Sequence, residues 1–321
     1  MHILVIGGAG YIGSHVVKEL LTHDIQVTVF DDMSTGRTEN LFDKATFIQG
    51  SILDVPALEQ AMNQHIDGVV HLAAKKAVGE SMENPQKYAV NNITGTLNIL
   101  NTMAKYNVKN FVFSSSAAVY GMPDYVPVDE KHPTGPINFY GFTKLEIERF
   151  LPWYHDLKGI NWIALRYFNA VGYDADGDVK GLEQNPQNLL PIVMEAATGI
   201  RSGMKIFGND YDTPDGTCIR DYIHVSDLAS AHLMALNYLN NGGTSQSLNL
   251  GTGKGISVLE MIQATERLIG QNIPYEYAPR RAGDPALLVA ASDTARKLLN
   301  WEPKHSDLDN IIRTTWNMYK K

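Results

Sequence analysis

The sequence predicts an α/β fold, a doubly wound parallel sheet with a smaller, mixed C-terminal lobe. Three observations lead there. Short β-branched runs alternate with longer helical patterns through residue 168. Most of these runs are apolar throughout, as strands covered on both faces must be. After residue 168 the rhythm stops, and Gly, Pro, Asn and Asp cluster at 172–188 and 208–217, the composition of loops that shape a site.

The strands, in order, are "HILVI" (2–6), "QVTVF" (26–30), "TFIQ" (46–49), "GVVHLA" (68–73), "NFVFSSS" (110–116) and "NWIALRY" (161–167). Apolar residues at helical spacing fill 11–22, 53–64, 85–106 and 138–151 between them. Pro152 is expected to end or kink the last helix, because it has no N–H to extend the ladder. Alternating strands and helices imply right-handed crossovers and a sheet of Rossmann type. "RDYIHVSDLASAHLMAL" (220–236) then reads as a short extended piece and a helix capped by Ser226 or Asp227. "SLNLG" (247–251) reads as another strand returning to the sheet. The expected division is a first domain over 1–168, rejoined by a segment near 218–251, and a second lobe over 169–321.

The 321-residue chain is 44% apolar and 19% charged, which suits one large globular domain or two lobes. A net charge of −8 without a Lys/Arg run argues against a nucleic-acid-binding surface. The single cysteine, Cys218, rules out an intramolecular disulfide and points to a reducing cytoplasm. The ten histidines show no His-x-x-x-His or Cys-His spacing, so no metal site is expected. The N-terminal stretch lacks the basic region and cleavage pattern of a signal peptide. No apolar run reaches the roughly eighteen residues of a membrane span, so no membrane association is expected.

"MHILVIGGAGYIGSH" places Gly7, Gly10 and Gly13 directly after a strand and directly opening a helix. One glycine makes a tight turn, one lets the backbone approach a pyrophosphate, and one lets helix and sheet pack closely. The helix N-terminus adds free N–H groups and a positive dipole end. Asp31 closes the second strand, where it can accept hydrogen bonds from ribose hydroxyls. A carboxylate there repels a 2′-phosphate, so NAD is favoured over NADP. Arg37 is nearby, but Asp31 and Asp32 together keep the site acidic.

"NFYGFTK" (138–144) sets Tyr140 and Lys144 four apart, on one helical face. A free tyrosine, with a pKa of about 10, is a poor base at neutral pH. A neighbouring ammonium and a positively charged nicotinamide both favour the phenolate and are expected to lower that value. Tyr140 could then take a proton from a substrate hydroxyl as hydride leaves the same carbon. Three serines end the strand at 114–116, where ligands sit in open α/β sheets, and Ser116, the last, is the candidate to hold or relay the proton.

Together these residues resemble the extended short-chain dehydrogenase/reductase enzymes, and within them the UDP-glucose 4-epimerases. The matching stretches run nearly end to end: "GGAGYIGSH", "KAVGES" (76–81), "NNITGT" (91–96), "SSSAAVYG" (114–121), "YGFTK", "LRYFNAVG" (165–172), "NLLP" (188–191), "IFGNDYDTPDGTCIRDYIHV" (206–225) and "RRAGD" (280–284). The stretch at 206–225 is the most specific. The resemblance implies that Tyr140 removes the proton of the sugar 4-hydroxyl while hydride passes from C4 to a tightly held NAD. The 4-keto sugar then turns over, and hydride returns to its other face. It further implies cofactor contacts from Gly7, Gly10, Tyr11, Ile12, Gly13, Asp31, Ile52, Lys76, Asn92, Tyr140, Lys144 and Tyr167. Contacts to the nucleotide sugar are implied for Ser116, Asn169, Asn188, Leu189, Phe207, Arg220, Arg281 and Asp284. Two arginines suit a diphosphate, and Phe207 can stack on uracil. A homodimer is implied, with the helices at 85–106 and 138–151 packed against their copies.

Ser51, Ala170 and Leu288 depart from the family pattern. Ser51 replaces an acidic residue that often meets the adenine, Ala170 follows Asn169 where proline is usual, and bulky Leu288 suggests glucose and galactose over acetamido sugars. Three rivals compete with this reading, and the second of them lacks the residues for its chemistry. An epimerase of UDP-N-acetylglucosamine or UDP-glucuronate would share these motifs. A 4,6-dehydratase would need an acidic pair after Ser116, where Ala117 and Ala118 stand. A non-catalytic NAD-binding sensor would have no use for Ser116, Tyr140 and Lys144 together.

Overall fold

The structure, a computed structural model, describes residues 1–183, 186–281 and 283–320. Ala282, inside the 280–284 stretch, lies outside the described residues. Strand β1 (His2–Ile6) leads into helix α1 (Tyr11–Thr22), then β2 (Gln26–Asp31), β3 (Thr46–Gln49), α2 (Val55–Met62) and β4 (Gly68–His71). Helices α3 (Val78–Glu83), α4 (Pro85–Tyr88) and α5 (Gly95–Lys105) precede β5 (Asn110–Ser116). Helix α6 (Phe139–Lys158) and β6 (Asn161–Tyr167) follow.

The chain then builds a second group of elements: β7 (Asn169–Val171), α7 (Leu189–Ala197), β8 (Met204–Phe207) and β9 (Ile219–His224). Helix α8 (Val225–Asn240) and β10 (Gln246–Leu250) return to the first group. The remainder is β11 (Gly255–Ser257), α9 (Val258–Ile269), β12 (Tyr275–Ala278), β13 (Leu287–Leu288), α10 (Asp293–Leu299) and α11 (Leu308–Tyr319).

Among the described residues the main sheet has seven parallel strands in the order β10-β6-β5-β4-β1-β2-β3. The order reverses between β1 and β4, which is where an open sheet of this kind offers a crevice to a ligand. Strand β1 shows how the sheet is held. Ile3 and Val5 point to a core shared with Val16, Val17 and Leu20 of α1 and Leu228, Leu236 and Leu239 of α8. Leu4 and Ile6 point to the opposite core, with Leu58 of α2, Ile99 and Met103 of α5, and Ile147 and Leu151 of α6. Both faces are therefore apolar, each buried Leu or Ile contributing about 1.5–3 kcal/mol. The second group packs α7, α9 and α11 over β7 and β9 through Leu190, Met194, Met261, Ile311 and Tyr222.

Three local expectations are refined or corrected. The helix expected at 85–106 runs unbroken to Lys105, but its α-helical parts α4 and α5 are separated by one π-turn at Ala89–Thr94. Such a turn carries an extra residue and often lies at a functional site. Pro152 does not end α6, which runs to Lys158 and stops at Gly159 with φ of 66°. Proline removes one rung, but Ile147, Leu151 and Tyr154 bind this face to the core, and packing outweighs the lost bond. The cap of α8 is His224, whose Nδ1 accepts from the Ser226 N–H at 3.1 Å. Asp227 lies inside the helix, and its carboxylate holds the Lys304 and His305 N–H groups instead.

Candidate active site

The glycine turn is built to a tolerance that side chains would break. Gly7 has φ of 87°, and a Cβ on it would lie 2.6 Å from the Ala73 nitrogen. A Cβ on Gly13 would lie 2.0 Å from the Gly7 carbonyl oxygen. Gly10 caps α1, and the first-turn N–H groups of that helix have no partner within it. At the end of β2 the Asp31 carboxylate accepts from the Ala9 N–H at 3.0 Å and the Met33 N–H at 2.9 Å. Burial raises its pKa, against the pull of those two donors. A narrow backbone cradle beside a buried carboxylate fits the diphosphate and ribose of a dinucleotide. Ile52 closes the inner wall, with its side chain against Gly95.

The expected chemical residues meet at the end of β5. Ser116 is the last residue of the strand, and its Oγ accepts from the Ala118 N–H at 3.2 Å. Tyr140 sits in the first turn of α6, which Asn138 caps by accepting from the Gly141 N–H at 2.8 Å. Gly141 allows this approach, since a Cβ there would lie 2.4 Å from the Ala118 carbonyl oxygen. Burial pushes the Tyr140 phenol up to about 12, and a hydrogen bond with Ser116 pulls it the other way. Lys144 is 2% exposed, and its Nζ donates to the Ser114 carbonyl at 2.6 Å. The same Nζ lies 5.8 Å from the centre of the Tyr140 ring. Burial brings the Lys144 ammonium down to about 7, with the Glu148 charge opposing. The sequence-based expectation of a lowered phenol is thus reversed in the protein alone. Without the cofactor's charge, desolvation sets the direction of both shifts.

Tyr167 ends β6 directly opposite Ser116 in the sheet register. Its hydroxyl donates to His232 Nε2, because His232 Nδ1 is committed to the Leu228 carbonyl at 2.7 Å. Burial holds that histidine neutral, with a pKa of about 4. Asn92 lies in the π-turn with its amide already engaged. It accepts from the Lys75 N–H at 2.9 Å and donates to the Lys75 carbonyl at 3.0 Å and to Thr143 Oγ1 at 3.1 Å. It therefore ties the segment after β4 to α6, one residue from Lys144. Lys76 reaches across to Glu183 in an ion pair. The Tyr11 hydroxyl donates to the Gly172 carbonyl, joining α1 to the second group, and Ile12 packs half-buried against the core of α8.

The remaining candidates lie on the second group. Asn169 donates to the Asp221 carbonyl at 3.0 Å. Asn188 is the cap residue of α7, with Leu189 half-buried behind it. Arg220 pairs with Asp284, Nη2 to Oδ1 at 2.8 Å, so two of the candidates hold each other. The Arg281 guanidinium sits 3.8 Å above the centre of the Phe207 ring. Arg281 therefore covers one face of the ring expected to stack on a base. Leu288 packs against the cluster of Ala117, Val119 and Tyr120 that follows Ser116.

Sequence reasoning missed several neighbours of this site. Glu148 and Arg166 form a buried ion pair behind Lys144, and His232 stands behind Tyr167. Glu148 had a signal, since it continues the spacing of four from Tyr140 to Lys144. Arg166 and His232 had none that local pattern could supply, because strand register and helix packing bring them in.

Comparison with known proteins gives a consistent result. A family model described as the NAD dependent epimerase/dehydratase family matches residues 3–251. The UDP-glucose 4-epimerase of Halalkalibacterium halodurans is 47% identical over 323 residues, covering 100% of this chain and 96% of that protein. The crystal structure of UDP-glucose 4-epimerase from Brucella ovis in complex with NAD superposes with a TM-score of 0.97 at 43% identity, covering 99% of this chain and 98% of that one. The crystal structure of the enzyme from Bifidobacterium longum in complex with NAD+ and UDP superposes with a TM-score of 0.93 at 38% identity, covering 100% of this chain and 98% of that one.

Proposed function

Because this chain belongs to the NAD dependent epimerase/dehydratase family, and within it to the UDP-glucose 4-epimerases, we propose that it interconverts UDP-glucose and UDP-galactose by a transient oxidation at sugar C4. The observation that carries the reading is the convergence of Ser116, Tyr140 and Lys144 at the strand end beside the glycine cradle.

Bound in that cradle, NAD would supply a hydride acceptor and donor and a positive charge that favours the phenolate. The protein's residues do the rest. Tyr140 accepts the proton of the sugar 4-hydroxyl at its phenolic oxygen and gives it back after the hydride has returned. Ser116 holds the same hydroxyl through its Oγ. Lys144, fixed on the Ser114 carbonyl, stabilises the phenolate across the ring edge. Tyr167, anchored on His232, closes the wall opposite Ser116. For the 4-keto sugar to present its other face, the site must grip the nucleotide and leave the sugar free. Arg220 and Arg281 on the second group suit the diphosphate, and Phe207 suits uracil. Stacking uracil on the covered face of Phe207 requires Arg281 to leave it. Asn169, Asn188, Leu189 and Asp284 complete that side. Leu288, packed beside the residues after Ser116, suits glucose and galactose rather than acetamido sugars in this reading.

In this reading residues 1–168, with the return at β10, hold the dinucleotide, and 169–321 hold the sugar nucleotide. The low cysteine count fits a cytoplasmic enzyme. No helix of the described residues is long and apolar enough to cross a membrane. Trp153 is 66% exposed and Leu157 69% on the outer side of α6, an apolar surface that suits packing against a second copy. The test is to incubate UDP-galactose with the purified protein, adding no NAD. UDP-glucose should form. A need for stoichiometric added NAD, with NADH accumulating, would mean a net dehydrogenase instead.

A further inference from the structure

Tyr140, Lys144 and Glu148 follow one another at intervals of four along α6, so all three share a face. The third is the unusual member, a carboxylate 6% exposed. Three strands of the main sheet hold it. Ser115 of β5 donates its Oγ to Glu148 Oε1, and Ser247 of β10 donates to Oε2 at 3.0 Å. Arg166 of β6 adds a fork, with Nε at 3.0 Å from Oε1 and Nη2 on Oε2. The other arm of Arg166 is taken up elsewhere. Its Nη1 donates to the Tyr120 hydroxyl at 2.8 Å, and Tyr120 donates in turn to Asn249 Oδ1 at 2.6 Å. The guanidinium is therefore held between Glu148 and the Tyr120–Asn249 pair.

A buried ion pair is weak evidence of stability alone, because desolvation offsets much of its attraction. Its position next to Lys144 suggests another use. The groups facing Lys144 are Tyr140 and Glu148 from α6, Ser114 and Phe113 from β5 and His71 from β4, with Arg166 paired behind Glu148 and Tyr167 close to Tyr140. Burial keeps His71 neutral at a pKa of about 3 and holds the Tyr140 phenol protonated in the protein alone. Burial likewise raises Tyr167 far above the ordinary phenol value. Glu148 is then the one carboxylate in this set, with the Arg166 guanidinium paired on its far side. Without it, a lysine fully enclosed beside an aromatic ring would lose its proton more readily.

We propose that Glu148 is a positioning residue for the proposed reaction: clamped by Ser115, Ser247 and Arg166, its carboxylate keeps Lys144 an ammonium ion, and through Lys144 it keeps Tyr140 able to take up the substrate proton. The assignment rests on the function proposed above, and one experiment separates the two. The Lys144 side-chain carbon resonance, assigned by its loss in Lys144→Met, is titrated in wild type and in Glu148→Gln. Glutamine keeps the shape and the bond from Ser115 but removes the charge.

The Lys144 midpoint should fall by about one pH unit or more, a tenfold loss of proton affinity. The alkaline limb of kcat should move down with it while KM changes little. The double variant Ser115→Ala/Ser247→Ala, which weakens the clamp but leaves the charge, should leave the midpoint in place. If Glu148→Gln does not fold, Glu148→Gln/Arg166→Met removes the pair together and should show a smaller fall in the same direction, because the Arg166 cation leaves with the carboxylate. A folded variant of either kind with the wild-type midpoint overturns the inference, whatever its thermal stability. Wild-type protein that fails to epimerise, while its Lys144 midpoint still follows Glu148, overturns the proposed function and leaves the coupling standing.

Discussion

Replacing Gly13 by alanine isolates the role of the cradle. The added Cβ would lie 2.0 Å from the Gly7 carbonyl oxygen and 2.8 Å from Gly8 Cα. Ordinary contact begins at 3.4 Å, so helix and turn must part by about 1.4 Å. No side chain can rotate out of the way, because both neighbours are backbone. The turn cannot retreat either, since Gly7 is itself wedged against Ala73. Alanine gains about 1 kcal/mol over glycine in a helix, and overpacking costs about 1–3 kcal/mol. The net loss of stability should therefore be at most about 2 kcal/mol, a few degrees in Tm. The effect on NAD should be much larger, because the N–H groups that face the diphosphate move by an ångström. NAD released from the purified, denatured protein should fall at least about tenfold per chain, with a small shift in the melting curve. Gly79→Ala is the control: a Cβ there meets nothing within 4 Å, so alanine in α3 should hold or raise Tm and leave NAD content unchanged. Full NAD content in Gly13→Ala would refute the cradle reading.

Lys144→Met should abolish turnover yet raise Tm at pH 6. Wild type buries a charge there, with its folded pKa of about 7 below the unfolded 10.5, and that cost is complete below pH 7. Wild-type stability should then rise as pH climbs through this window, so the gain from methionine shrinks toward pH 10.5; a gain that grows with pH would contradict the linkage. Arg166→Met should lower stability by about 3–5 kcal/mol, because it leaves Glu148 buried without its cation, and denaturant unfolding reads this directly. Phe207→Leu should raise KM for the UDP-sugar about three- to tenfold with NAD content unchanged, and an unaltered KM would remove Phe207 from the uracil site.

Local pattern was enough to read the strands of the main sheet, the glycine turn and the Tyr–Lys face, because each is written in consecutive residues, whereas the short strands β7, β8, β11, β12 and β13 of the second group were not read. The sheet edge at β10 was legible for the same reason, as "SLNLG" alternates polar residues with Leu248 and Leu250, which pair with Leu165 and Tyr167 of β6. Other features depend on what lies across the fold. The Ala89–Thr94 π-turn exists where Asn92 must reach both Lys75 and Thr143, and no spacing announces it. Pro152 marks a helix end in isolation, but the buried face of α6 continues past it. The direction of the Tyr140 and Lys144 shifts depends on how deeply each is buried, and their separation along the chain carries no such information. Arg281 on Phe207 is likewise a contact between a loop and β8 that residue types alone did not pair.

The proposed mechanism is tested most directly by Tyr140→Phe, which removes one oxygen and leaves the ring. NAD content and kcat are measured on the same preparation with UDP-galactose as substrate. The mechanism predicts unchanged NAD content and a fall in kcat of about 10²–10⁴. A folded, NAD-loaded Tyr140→Phe protein that turns over within tenfold of wild type would contradict it.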